Sequence, residues 1–192
     1  PAATAQGELV VNGMSPSKRN NLYANSGIVV EINVHQDIPK YDHFGALKGL
    51  EYQKNLEKLA FTACGRTQTA PAQRLTDFVD GTLSNTLNDC SYQPGLKSAP
   101  LHSLLPKIIG GRLRTGFKEF GKKMKRYYTE EANVIGVESR TSSPVSIPRK
   151  ENLEHIQIEG LYPCGEGGGY AGGIVSAAMD GERCAEAAIK GW

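Results

Sequence analysis

The sequence lacks a long apolar run: none approaches the roughly 18 consecutive apolar residues of a membrane-spanning helix. Its first residues contain neither a basic nor an apolar segment, so no secretory signal peptide is expected. An initiator Met is also missing from the opening Pro1-Ala2-Ala3, so we expect a processed chain, a tagged chain or a fragment. These absences predict a soluble, cytoplasmic protein with no membrane partner.

Spacing motifs for metal binding are absent too. The four cysteines form no CxxC pair, and the four histidines form no HExxH pattern. We therefore expect reduced thiols, the default in a chain without export signals, and no metal site. The cysteines are Cys64, Cys90, Cys164 and Cys184.

What is present suits a globular protein, with 39% hydrophobic and 22% charged residues. β-branched runs and helical spacing predict strands, then a helical middle, then a strand, a turn and a helix, which is a mixed α+β fold. Strands are predicted over 10–15, 27–34, 132–138, 145–149 and 156–164. Helices are predicted over 52–63, over 69–79 with Thr69-Ala70-Pro71 as cap and first turn, over 107–124, and over 172–190.

The sharpest motif is the glycine-rich run from Gly160 to Gly173, placed between a predicted strand and the last helix. Glycines let backbone approach a ligand closely, and a helix N-terminus favours electron-rich groups. A Rossmann fingerprint is excluded because no second strand with an acidic residue follows before Trp192. The alternatives are a simple turn and a cofactor site, and the density of glycine favours the latter. The helix that follows carries small residues on one face, which predicts tight packing on a sheet; they are Ile174, Ala178, Gly181, Ala185 and Ala188.

A second candidate is the polar segment from Glu138 to Pro144. Its hydroxyls flank Arg140 and can hold an anion or a carbonyl, although an ordinary loop is the alternative.

The third candidate for a functional segment is the basic stretch 107–126, which contains eight Lys and Arg residues and one acidic residue, Glu119. Such a segment could bind nucleic acid or an acidic protein. The same segment carries an apolar helical stripe, however, and no groove-reading motif accompanies it. We therefore interpret it as a solvated helix face and expect no nucleic-acid partner.

Several short sequence blocks, in the same order along nearly the whole chain, resemble those of a family of uncharacterised bacterial FAD-dependent dehydrogenases of the NAD(P)/FAD-dependent oxidoreductase type. The family motif at the glycine turn commonly has Ala where this chain has Gly168. The matching blocks are 12–15, 25–26, 71–73 with 77–78, 91–92 with 94–95, 138–144 and 160–181.

This resemblance implies the C-terminal part of a Rossmann-type FAD oxidoreductase. Residues 1–150 would form the substrate-side domain, and residues 151–192 the strand, glycine-rich turn and helix that return to the FAD domain. The partner would be a missing N-terminal half of the same protein, which grips the ADP part of FAD.

The resemblance also implies roles for individual residues. Flavin contacts would come from Gly165, Glu166, Gly167, Gly169, Tyr170, Gly172, Gly173 and Ile174. Arg140, Thr141 and Ser142 would lie on the substrate side. No residue is predicted as catalytic acid or base, because hydride chemistry belongs to the flavin.

The resemblance predicts an enzyme in which FAD transfers hydride to or from a small-molecule substrate, with NAD(P) as a candidate electron donor. Without the missing half, the fragment is expected to be inactive. The alternative from a different class is a non-catalytic binding module that uses the basic helix within 107–126.

Overall fold

The computed structural model describes residues 2 and 4–190, and the chain divides into two compact units. The first unit comprises Pro1–Asp37 and Lys54–Ser139, and the second Ile38–Gln53 and Arg140–Trp192. Helices are combined with a small three-stranded sheet, so the mixed α and β class is confirmed.

The sheet of the first unit has β1 at its centre, with order β2-β1-β3. Strand β1 runs parallel to β2 and antiparallel to β3. The first four residues of β1 are buried, as expected for a strand covered on both faces. The strands are β1 (Ala70–Arg74), β2 (Leu96–Ser98) and β3 (Asn133–Ile135).

The prediction that Thr69-Ala70-Pro71 caps a helix was wrong, because β1 occupies this position. Pairing on both sides overrides the local turn signal. Pro71 lacks an N–H, yet its carbonyl accepts a hydrogen bond of 3.0 Å from the N–H of Gly136. The helix predicted here begins after β1, at Leu75.

Three helices build the main core of this unit, and the apolar stripe predicted for the basic segment packs into it through Leu113 and Phe117. The rings of Phe78 and Phe117 meet edge to face with centroids 5.9 Å apart, a favourable aromatic geometry. The helices are α2 (Leu75–Asp80), α3 (Leu101–Leu104) and α4 (Lys107–Lys123). The buried core residues are Leu75, Phe78, Val79, Leu101, Leu113 and Phe117.

Helix α1 (Lys48–Ala63) confirms the helix predicted over 52–63 and begins four residues earlier. Its buried positions, Tyr52, Leu56 and Ala60, follow helical spacing. Gly65 adopts a φ of +80° just past its end, a conformation that glycine reaches without strain.

Two predicted strands of the first unit, 10–15 and 27–34, are not strands. The N–H of Val11 donates to the carbonyl of Val137 at 3.0 Å, but no ladder of paired residues follows. Ile28 and Val30 pack against the main core from a non-regular segment. The β-branched residues Val11, Ile28 and Val30 therefore pack against apolar neighbours without belonging to a sheet. Within the predicted strand 132–138, only β3 is regular.

In the second unit, the strands predicted over 145–149 and 156–164 are also absent. One antiparallel bridge joins Arg149 and His155, and turns and bends occupy most of 151–173. A strand requires a partner along its length to satisfy its backbone groups, and the described part of this unit offers none. The last helix is confirmed as α5 (Ile174–Lys190).

No helix within residues 2 and 4–190 is both long and apolar enough to cross a membrane. Over the same residues, no group of three or more His, Cys, Asp or Glu side chains is placed to hold a metal ion.

Candidate functional site

The glycine-rich turn that precedes α5 is held by its own backbone. Three hydrogen bonds close it within seven residues, so its shape is set locally. They run from the N–H of Gly168 to Cys164 O at 3.3 Å, from Gly169 to Glu166 O at 3.0 Å, and from Tyr170 to Gly165 O at 3.0 Å.

Three glycines are required by this turn itself. Gly165 and Gly169 adopt φ values of +66° and +82°, where other residues are strained. A Cβ at Gly169 would lie 2.6 Å from the carbonyl oxygen of Val145, and one at Gly168 would lie 3.0 Å from the backbone of Cys164. The turn thus accounts for these glycines without any ligand.

Three other glycines of the run have no such reason. A Cβ built on Gly167 or Gly172 meets no atom within 4 Å, and one on Gly173 meets only the Ser176 hydroxyl at 3.7 Å. All three lie outside the left-handed region of φ, and Gly172 and Gly173 are exposed. No contact among the described residues therefore requires glycine at these three positions.

A buried ion pair ties the turn to α5. Arg149 donates to both carboxylate oxygens of Asp180, at 2.8 and 3.0 Å, and the two side chains are only 10% and 8% exposed. The N–H of Gly165 donates to the same carboxylate at 2.9 Å. A bidentate, charge-assisted pair of this kind fixes orientation as well as distance.

The ion pair shifts the pKa values of both partners. The Arg149 guanidinium, followed by the N–H of Gly165, lowers the pKa of Asp180 below its usual value. The hydrogen bond to Asp180 raises the pKa of Arg149 in turn. Both groups are therefore ionised at neutral pH.

Tyr170 is anchored by its neighbours in the same unit. The Arg149 guanidinium carbon lies 3.6 Å from the centre of the Tyr170 ring, a cation–π contact. The hydroxyl donates to the carbonyl of Ile147 at 2.8 Å. Tyr170 thus helps to hold the turn, and its predicted flavin contact stays a prediction.

The predicted substrate-side residues lie just upstream of a segment that borders the turn. Arg140, Thr141 and Ser142 are exposed. A few residues later, the N–H of Ile147 donates to the carbonyl of Gly168 at 3.1 Å. The chain therefore leads from these residues to the turn within one unit, and their substrate role stays a prediction.

Helix α5 packs differently from the sequence-based expectation. Its buried residues are Asp180 and Cys184, whereas Ala178 and Ala185 of the predicted small-residue face are exposed. The ion pair with Arg149 turns this side of the helix inward. Large apolar side chains remain outside: Ile174, Val175, Met179 and Ile189 are 92%, 72%, 60% and 77% exposed.

Sequence reasoning missed the anchoring roles of Arg149 and Asp180. They are 31 residues apart, and no spacing rule pairs residues at such a distance. Asp180 lies within the block 160–181 that resembles the family, but only the folded chain shows that it binds Arg149.

Two arginines of the basic helix α4 form hydrogen bonds and an ion pair with other residues of the first unit. Arg112 donates to the carbonyl of Glu31 at 2.7 Å and pairs with Asp37 at 3.1 Å. Arg114 donates to the carbonyl of Phe78 at 3.2 Å. These contacts favour a structural role for part of the basic segment over a nucleic-acid surface.

Comparison with known proteins decides the family. The family described as "FAD-dependent protein, C-terminal domain-like" matches residues 1–141. The chain belongs to this family. The match ends before the glycine-rich turn.

One relative is an uncharacterised protein of Clostridium beijerinckii. It is 40% identical over 191 residues, which cover 98% of this chain and 35% of the relative. The chain thus spans about a third of the length of the curated relative that it matches. Family membership confirms the resemblance to FAD-dependent proteins at that coarser level.

Proposed function

We propose that this chain is the C-terminal part of a cytoplasmic FAD-dependent oxidoreductase. Residues 1–150 supply the substrate side, and residues 151–192 return to a Rossmann-type FAD domain. The observation that carries the proposal is the open space around Gly167, Gly172 and Gly173. Glycine at these exposed positions has a reason if another group packs against the backbone there.

The residues at the turn fit a flavin. Gly172 and Gly173 precede Ile174, the first residue of α5, and the first N–H groups of a helix lack partners within it. Those groups and the helix dipole favour the electron-rich pyrimidine edge of the flavin. FAD, when bound, would supply the hydride chemistry. The other proposed contacts are Gly165, Glu166, Gly167, Gly169 and Tyr170, with Arg140, Thr141 and Ser142 on the substrate side.

The exposed apolar side of α5 supports a further part of the proposal. Ile174, Val175 and Met179 are all more than half exposed, and contiguous apolar surface marks an interaction site. We assign its cover to the FAD-binding half of the same protein. A curated relative nearly three times as long as this chain has room for such a half.

The test is flavin content. The full-length protein, purified as expressed or after incubation with FAD and removal of the excess, should absorb visible light as a flavoprotein. The 192-residue chain under the same treatment should retain FAD weakly or not at all. A full-length protein that takes up no flavin would refute the proposal. Tight binding by the 192-residue chain would refute the assignment of the ADP-binding half to the rest of the protein.

A further inference from the structure

Two of the four thiols lie together in the second unit. Cys164, in the glycine-rich turn, is exposed, whereas Cys184, in α5, is only 3% exposed. The Cys184 thiol donates to the carbonyl of Pro163, the residue before Cys164, with 3.9 Å between the sulfur and the oxygen. The buried thiol therefore contacts the backbone immediately next to the exposed one.

The surrounding contacts fix this arrangement. On one side of Cys164, the carbonyl of Pro163 accepts a hydrogen bond of 2.8 Å from Arg149, whose guanidinium also lies 3.3 Å from the Cys184 sulfur. On the other side, the N–H of Gly165 binds Asp180 at 2.9 Å. Asp180 and Cys184 are one helical turn apart on the same side of α5. The two neighbours of Cys164 are thus tied to Arg149, which contacts Cys184, and to Asp180, which lies one helical turn from Cys184.

The two thiols differ in their access to reagents. Burial raises the pKa of Cys184, and the Arg149 charge opposes that shift. A reagent in solution therefore meets Cys164 first, while Cys184 is placed to react with whatever forms on Cys164.

We propose that Cys164 and Cys184 form a redox-active dithiol that low-molecular-weight disulfides, such as oxidised glutathione, convert to an intramolecular disulfide. The Cys164 thiolate attacks one sulfur of the reagent, whose S–S bond breaks and releases the first thiol. Cys184 then attacks the Cys164 sulfur of the mixed disulfide, and the second thiol leaves. The two protein thiols are oxidised by two electrons, the reagent is reduced to two thiols, and the two protons go to the leaving thiols.

This dithiol is independent of FAD binding. The disulfide would join the turn covalently to α5, beside the Arg149–Asp180 pair that already holds them together. Its formation is read directly from peptides, so the failure of one proposal leaves the other standing.

The test uses the full-length protein equilibrated in mixtures of reduced and oxidised glutathione, then alkylated, denatured and digested with trypsin. No Lys or Arg lies between Lys150 and Arg183, so trypsin yields peptide 151–183 with Cys164 and peptide 184–190 with Cys184. We expect these two peptides to become disulfide-linked as the mixture becomes more oxidising, and to separate on reduction.

Variants identify the order of attack. Cys184→Ser should trap glutathione on Cys164, and Cys164→Ser should leave Cys184 available only to the alkylating reagent after denaturation. Cys90→Ser, in the other unit, serves as the matched control and should leave the linked pair unchanged. The proposal is overturned if wild-type protein in the most oxidising mixture carries glutathione on Cys164 with Cys184 still reduced, or if both thiols stay reduced.

Discussion

Single residues of the C-terminal turn separate into two groups by what surrounds their α carbons. At Gly169 the left-handed backbone and the nearby carbonyl of Val145 demand glycine. At Gly172 neither reason applies, because the backbone is ordinary and the space for a Cβ is open. The same substitution should therefore have opposite signatures at the two positions.

Gly172→Ala in the full-length protein should preserve or raise the free energy of unfolding, by up to about 1 kcal/mol, because alanine loses less chain entropy on folding. Bound FAD per mole should nevertheless fall, or the flavin reduction potential should shift, because the methyl group occupies space proposed for the ring. Flavin absorbance and a melting curve on one preparation measure both quantities.

Gly169→Ala is the matched control and should lower the stability by about 1–3 kcal/mol through backbone strain. The proposed flavin position is wrong if Gly172→Ala keeps the wild-type flavin content and the wild-type potential.

Asp180→Asn should destabilise the protein by about 3 kcal/mol at neutral pH, because it leaves Arg149 buried without its counter-charge. The pKa of Asp180 is lowered in the folded state, so this stability is fully present above the ordinary aspartate pKa of about 4. It is lost as the pH falls through the lower, folded-state pKa. The difference between wild type and variant should thus shrink in acid, as measured by denaturant unfolding from neutral to acidic pH.

Asp42→Asn is a suitable comparison, because Asp42 pairs with Lys48 from an exposed position. Its removal should change the free energy of unfolding by less than about 1 kcal/mol. Equal effects of the two substitutions at neutral pH would contradict the anchoring role of Asp180.

Among the elements, α4 and α5 are both amphipathic but differ in what their apolar sides contact. Helix α4 buries Leu113 and Phe117 in the core and directs lysines outward. Helix α5 buries Asp180 and Cys184 and leaves Ile174 and its apolar neighbours exposed. The apolar side of α4 is thus covered within its own unit, whereas the apolar side of α5 is exposed in the described part of the chain.

Charge reversal at the end of the basic segment tests this view of α4. Glutamates in place of Lys122, Lys123, Lys125 and Arg126 should preserve the fold, because all four side chains are exposed. Neither the protein nor the variant should bind DNA or RNA measurably at physiological salt. Micromolar or tighter binding that weakens with salt and disappears in the variant would instead support a nucleic-acid partner.

For the molecule as a whole, the family match and the curated relative cover different lengths of the chain. The family match covers residues 1–141, and the glycine-rich turn with its ion pair lies beyond it. The 40% identical relative extends over both. Because this chain spans 35% of that relative, flavin content and activity have to be measured on the full-length protein.

The sequence by itself determined the elements whose signals are local. Helix α4 with its apolar stripe and the last helix depend on side-chain spacing within one segment, and both were found where spacing predicted them. The glycine-rich turn was recognised for the same reason, because glycine density is visible without any partner.

Only the tertiary structure decided the features that depend on distant partners. Residues 70–74 became a strand because two other strands pair with that segment. Residues 156–164 did not become one because the described part of the chain places no pairing strand beside them. Arg149 met Asp180 across 31 residues of sequence. Such contacts arise from the packing of whole elements, and no residue period in the chain encodes them.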